Sequence, residues 1–413
     1  MSLFGSMIAG VAALNAQSQS LGVISNNIAN VNTTGYKKNN TQFSDLVTQN
    51  SLSAAYTPGG VRAFRQSTAD QQGQLLQTSS ATDLAVSGKG FFVVQQQPTG
   101  IQEPLYTRAG SFSTDQNGYL KNLSGYYLMG WPINPTTGAL PAGAGNLNSL
   151  QSVNVNVLPA LVRTTTSATL SANLDAGQLS TAPAPQFQRS LQVFDSLGNG
   201  QNLTFQFTKT ATPNQWTLQV NGPANAGWPA THTLDFTTGG GLSTIDGVAT
   251  TSLTLPAADW ANGSDPTQTI DLDLTNITQY ASPYAVSFED QNGVAYGQRT
   301  SVEVDENGYV SANFSNGLSQ KIYKLPLASF SDPLSLDQRT GNVFGQTINS
   351  GTLVLGDAGV NGTGSVSPST LEGSNVDLAD EFTKMITTQR AYSAGTKVIT
   401  TTDQMLTELL QLR

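Results

Sequence analysis

The chain has 413 residues, of which only 11% are charged, with 18 basic against 27 acidic side chains, a net charge of -9 and no cysteine. The length supports roughly two to four domains, each large enough for its own core. Absent thiols exclude disulfides and thiolate metal sites, and an acidic balance without a Lys/Arg cluster excludes nucleic acid and anionic membrane surfaces as partners.

Stepping by four and three from the start gives Leu3, Met7, Gly10, Leu14, Gln17, Leu21, Ile24, Ile28 and Val31. This spacing keeps one helix face apolar and predicts an N-terminal helix. Gly5, Gly10 and Gly22 interrupt it, each costing about 1 kcal/mol relative to Ala. Such a helix is marginal alone and gains its stability from tertiary or intersubunit packing, so the arm is expected to be loose in the monomer and to order on assembly. The apolar run Leu3 to Leu14 is too short to span a bilayer, and no basic residue precedes Lys37. Secretion, if it occurs, is therefore expected by a route that cleaves no standard signal peptide.

Gly35 is expected to end this helix in a left-handed cap, followed by a polar linker or extended arm through Gly59 and Gly60. From about Leu75 the chain changes to short β-like runs bounded by Gly, Asn, Asp and Pro, such as Gly90 to Val94. Alternation is clear in Leu203, Phe205, Phe207 and in Trp216, Leu218, Val220, which predicts strands with one buried face.

Three Asp-x-Asn-Gly strings, Asp115 to Gly118, Asp290 to Gly293 and Asp305 to Gly308, read as hairpin turns. None has the glycine that a calcium loop needs at its sixth position: Leu120, Ala295 and Val310 stand there. The first and third lie in similar strings, DQNGYLKN and DENGYVSAN, on either side of a long central stretch. This suggests nesting, with residues 75–160 and 281–367 as an inner β-domain, 161–280 as an inserted β-sandwich or barrel, and 1–74 with 368–413 as a terminal helical domain. The fold class expected is mainly β with terminal α-helices, nested β-domains standing on a two-helix coiled coil.

No proline interrupts Leu371 to Arg413, and the four-three stepping there gives Leu378, Phe382, Met385, Gln389, Tyr392, Thr396, Ile399, Asp403, Leu406 and Leu410. The polar members Gln389, Thr396 and Asp403 share one heptad position and would fix register at some loss of stability. Two ordinary amphipathic helices packed on a globular core would show the same spacing. The chemistry is sparse. The single histidine, His232, reads as a solvent-facing strand residue, no G-x-S-x-G elbow or Walker A string occurs, and the glycines at 239–241 lack a dinucleotide fingerprint. The carboxylate pairs Glu289/Asp290 and Asp305/Glu306 lie beside turns and read as solvated, with a secreted β-rich glycan-active enzyme as the catalytic alternative. No catalytic residue, cofactor or metal is assigned.

The string SNNIANVNTTGYK (Ser25 to Lys37) resembles the N-terminal signature of the axial proteins of the bacterial flagellum, the rod and hook family. SNVDLADEFTKMITTQRAYSAGTKVITTTDQML (Ser374 to Leu406) resembles its C-terminal counterpart, and GKGFFVV, YTRAGSFSTDQNGYL and NVFGQTINSG match its flanking β-domain. The insertion, with NLDAG near its start and DLTNITQ near its end, is similar to that of the hook branch. The resemblance implies a non-enzymatic structural subunit that polymerises into a curved, flexible universal joint between rod and filament. It also implies an extracellular place in the flagellum, export through the flagellar type III apparatus, and hook-cap, distal-rod and hook-filament junction proteins as partners, with no membrane insertion. A distal-rod or junction protein is the alternative within the family.

On this reading Leu14, Leu21, Ile24, Ile28, Val31, Leu378, Phe382, Met385, Tyr392, Ile399, Leu406 and Leu410 line an inner tube of helices. Charging Leu21, Ile24, Ile28, Phe382, Met385, Tyr392 and Ile399 is expected to abolish assembly without unfolding the β-domains. Asn26, Asn27, Asn30, Gly35 and Tyr36 set the turn after the first helix or contacts between subunits.

Overall fold

The computed structural model describes residues 3–46, 59–100, 102–224, 227–360 and 362–411. It is mainly β, with a helix at each end, α1 (Leu3–Ala29) and α2 (Leu378–Gln411). The chain forms two compact units. One comprises the residues up to Val157, Ser301–Ala312 and Ser319 onward; the other comprises Leu158–Thr300 and Asn313–Leu318.

In the first unit α1 and α2 run antiparallel. A Cβ on Gly10 would lie 3.2 Å from Ile399 Cγ1, and one on Gly395 would lie 3.1 Å from Leu14 Cδ2. The single chain thus already supplies α1 with a packing partner. Asp377 caps α2, its Oδ1 accepting from the Ala379 and Asp380 backbone N–H groups at 2.8 and 3.2 Å. Part of the expected linker arm is a two-stranded antiparallel ribbon instead, Asn39–Asp45 paired with Val61–Ser67; residues 47–58 of that arm lie outside the described residues.

Two short antiparallel pairs join the early chain to the late chain: Leu75–Gln77 with Thr370–Glu372, and Leu84–Ser87 with Ser365–Pro368. Beyond them lies a sheet centred on the fully buried strand Phe91–Gln95, which pairs with Leu105–Thr107, Tyr127–Pro132 and Pro326–Phe330. Its core gathers Ala69, Phe91, Val93, Tyr106, Met129, Trp131 and Phe344, with the Phe91 and Phe344 rings edge to face at 5.6 Å.

The second unit is a sandwich. Ser167–Asp175 lies parallel to Asp271–Asp273 and Thr278–Tyr280 and antiparallel to Ala285–Gln291. The facing sheet is a five-stranded meander, Phe187–Phe194, Gly200–Lys209, Gln215–Asn221, Ala230–Phe236 and Leu242–Ile245. The alternating residues Leu203, Phe205, Phe207, Trp216, Leu218 and Val220 are all fully buried and meet Leu170, Leu174 and Leu272 of the other sheet.

Two of the three Asp-x-Asn-Gly strings are hairpin turns. Asp115 Oδ1 accepts from Asn117 N and Tyr119 N, and Asp305 Oδ1 from Asn307 N and Tyr309 N, while Gly118 and Gly308 take φ of +89° and +79°. Asp290–Gly293 is not such a turn. Asp290 belongs to a strand paired with Ser167–Asp175, and Asn292 Oδ1 accepts from Thr166 N and Ser167 N. Residues 281–300, expected in the flanking domain, therefore cluster with the insertion.

Candidate assembly site

The terminal helices and the junction where they leave the β-structure hold every candidate site residue, and the structure sorts those residues by face. On α1 the buried positions are Gly10, Ala16, Ser20, Ile24 and Asn27, while Leu14, Leu21 and Ile28 are half-buried. On α2 they are Glu381, Thr388 and Thr402, and with Gly395 against Leu14 they recur at heptad spacing. Met385, Ile399 and Leu406 are half-buried beside them, whereas Leu378, Phe382 and Tyr392 are 40%, 51% and 38% exposed. The side chain of Leu410 lies outside those described. The expected polar register residues Gln389 and Asp403 are exposed and Thr396 is half-buried, so the contact seam is displaced by one residue from the apolar stepping.

Small residues explain the displacement. Glycines at 10 and 395 let the helices approach closely, and the buried threonines bring no unsatisfied hydroxyl with them. Thr388 Oγ1 donates to Lys384 O and Thr402 Oγ1 to Val398 O, both at 2.7 Å. The habit runs along α2 from Thr383 to Thr407, each of these threonine hydroxyls donating to a carbonyl one turn back. Large apolar side chains are left outside on both helices: Phe4, Ile8 and Val11 on α1, and Phe382, Ile386 and Met405 on α2.

The post-helix motif divides in the same way. α1 ends at Ala29, so Val31 lies just beyond it, and a series of tight turns runs from Asn30 to Tyr36. Asn26 and Asn30 cap the helix end, Asn30 Nδ2 donating to Asn26 O at 2.9 Å. Asn27 is buried and links the ends of the chain, its Nδ2 donating to Asn39 O at 2.8 Å and to Glu381 Oε2 at 3.0 Å. Its Oδ1 accepts from Asn39 N and from the Tyr36 hydroxyl; burial pushes the Tyr36 phenol up. Gly35 is not the cap of α1. Its φ is +67°, its N–H donates to Glu372 O at 2.7 Å, and a Cβ there would lie 2.5 Å from Ala109 N, so this position requires glycine for both conformation and space.

Sequence reasoning misses the charged residues at this junction. Lys37, Arg108 and Glu372 are buried together, with Lys37 Nζ 2.5 Å from Glu372 Oε1 and Arg108 Nη1 3.2 Å from Oε2. Burial pulls the Lys37 ammonium down, against the neighbouring Glu372. Lys37 closes the N-terminal string, but nothing in its spacing names a partner 335 residues away.

Elsewhere, His232 is largely covered rather than solvent-facing, its Nδ1 2.7 Å from Asp246 Oδ2. Among the described residues no cluster of His, Asp and Glu is placed to hold a metal ion, and no helix is long and apolar enough to cross a membrane.

Four family profiles match successive parts of the chain: flagella basal body rod protein over residues 7–37, flagellar hook protein FlgE/F/G D1 domain over 85–167, flagellar basal body protein FlaE D2 domain over 167–294, and flagellar basal body rod FlgEFG protein C-terminal over 367–412. The flagellar hook protein FlgE of Rhizobium meliloti is 36% identical over 419 residues, and that of Brucella suis 35% over 414, each alignment covering 100% of both chains. The Escherichia coli flagellar hook protein FlgE is 31% identical over 416 residues, covering 98% of each chain. At 35–36% identity to relatives aligned over their whole length, the chain belongs to the flagellar hook protein family.

Proposed function

We propose that this chain is the subunit of the curved, flexible hook and that it polymerises through its terminal helix pair, with no enzymatic role. The observation that carries the reading is the division of faces on that pair. Small residues hold α1 to α2, while Phe4, Ile8, Phe382 and Ile386 stay exposed and are free to meet successive copies in a head-to-tail, non-closing contact. A terminal helix pair, residues 1–74 with 368–413, that is separate in sequence from the β-rich middle suits a subunit whose ends polymerise. Hook-cap, distal-rod and hook-filament junction proteins and the type III export apparatus are the partners this role entails.

Electron microscopy of the purified, concentrated full-length chain tests the proposal. Curved tubes are expected from the native chain, and Phe382→Glu should remain monomeric with an unchanged melting temperature, because that side chain supports no intrachain core. Straight tubes would favour the distal-rod alternative. Tubes from Phe382→Glu equal to native ones would remove this face from the interface.

A further inference from the structure

One carboxylate serves the whole junction. Glu372 is fully buried and accepts from Lys37 Nζ at 2.5 Å, from the Gly73 N–H at 2.7 Å and from Arg108 Nη1 at 3.2 Å, while its backbone carbonyl takes the Gly35 N–H at 2.7 Å. Lys37 also donates to Gln71 O, and Arg108 Nη2 to Gly88 O at 2.8 Å. Three stretches of the first 110 residues thus converge on a side chain near the end of the chain, on the short strand Thr370–Glu372 that leads into α2.

A buried cation without its counter-charge is strongly destabilising. Lys37 and Arg108 are 0% and 2% exposed, and Glu372 is the carboxylate that forms an ion pair with both, Asp70 acting on Lys37 only at longer range. The early segments can be seated individually only by leaving one or both cations buried and unneutralised. We propose that Glu372 is a closure residue: it makes the seating of residues 35–39, 71–73 and 108–109 conditional on docking of the C-terminal strand, so that the roots of α1 and α2 are fixed in one step. The device would keep an incomplete chain from presenting an ordered N-terminal arm. It is independent of what the assembled polymer does.

Hydrogen exchange on the full-length chain tests it. In Glu372→Gln, protection at residues 35–39, 71–73 and 108–109 should fall together by about tenfold or more, while Phe91–Gln95 and Leu203–Phe207 keep theirs. Loosening confined to residues 370–375 would overturn the proposal. A second arm holds if that variant fails to fold. During refolding of the native chain, pulse labelling should show Tyr36 and Asn39, whose amides donate to Thr33 O and Asn27 Oδ1 within the early chain, gaining protection in the same kinetic phase as residues 370–372. In the apolar variant K37M/R108M/E372L, whose folded state should be retained because no charge is left unpaired, Tyr36 and Asn39 should gain protection first. Early protection of Tyr36 and Asn39 in the native chain, or identical phases in both chains, would refute the closure role.

Discussion

Single residues divide by how far away their partners lie. The carboxylates of Asp115 and Asp305 bond backbone amides two and four residues on, so their hairpins are legible in a local string. Glu289 is the opposite case. In the sequence it reads as a solvated carboxylate beside a turn, yet Arg189, on the facing sheet of the sandwich, donates Nε to its Oε2 at 2.6 Å and Nη2 to Oε1. The Arg189 guanidinium holds its carboxyl below the ordinary value of 4.5. A depressed carboxylate contributes stability that is fully present above the unfolded value and is lost as pH falls through the folded one. The melting-temperature difference between the native chain and Glu289→Gln should therefore be largest near neutrality and shrink below about pH 4.5. A constant difference across that range would show that the pair does not link the two sheets through charge.

At the scale of elements, heptad periodicity announces both helices but misjudges which side is covered. The reason is physical: hydropathy ranks Phe382 and Tyr392 above Thr388 and Gly395, whereas close approach of two backbones selects the small residues. The glycines consequently differ in role. A Cβ on Gly22 would meet nothing within 4 Å, so Gly22→Ala should stabilise α1 by about 1 kcal/mol. At Gly395 a Cβ would stand 3.1 Å from Leu14 Cδ2, and Gly395→Val should destabilise the helix pair by roughly 1–3 kcal/mol through overpacking. Thermal melts followed by far-ultraviolet circular dichroism check both signs. The ribbon Asn39–Asp45 with Val61–Ser67 is hidden from sequence reasoning because its polar, Asn- and Gln-containing strands carry little β-propensity.

For the whole molecule, two similar turn strings flanking a long insertion suggest a nested order, but the strand neighbours at its far boundary are not legible. The strand Ala285–Gln291 joins Ser167–Asp175, more than 100 residues earlier, and no local pattern encodes that choice of neighbour. Each unit has its own core, so damage should remain local. Leu218→Ala removes a fully buried side chain from the sandwich and should cost about 2–5 kcal/mol. Differential scanning calorimetry should show one transition moving down while the other, carrying the terminal helices, stays in place. A uniform shift of all unfolding would mean the units melt as one.

The threonines of α2 make its character depend on its conformation. In an extended chain every hydroxyl is hydrated, and the segment is as soluble as its composition suggests. Once helical, each hydroxyl from Thr383 to Thr407 turns inward to a carbonyl of its own backbone, and what faces outward is a methyl group. Coiling therefore takes up the hydrogen-bonding capacity of these hydroxyls within the helix, so that a neighbour laid against the threonine positions has fewer polar groups to desolvate.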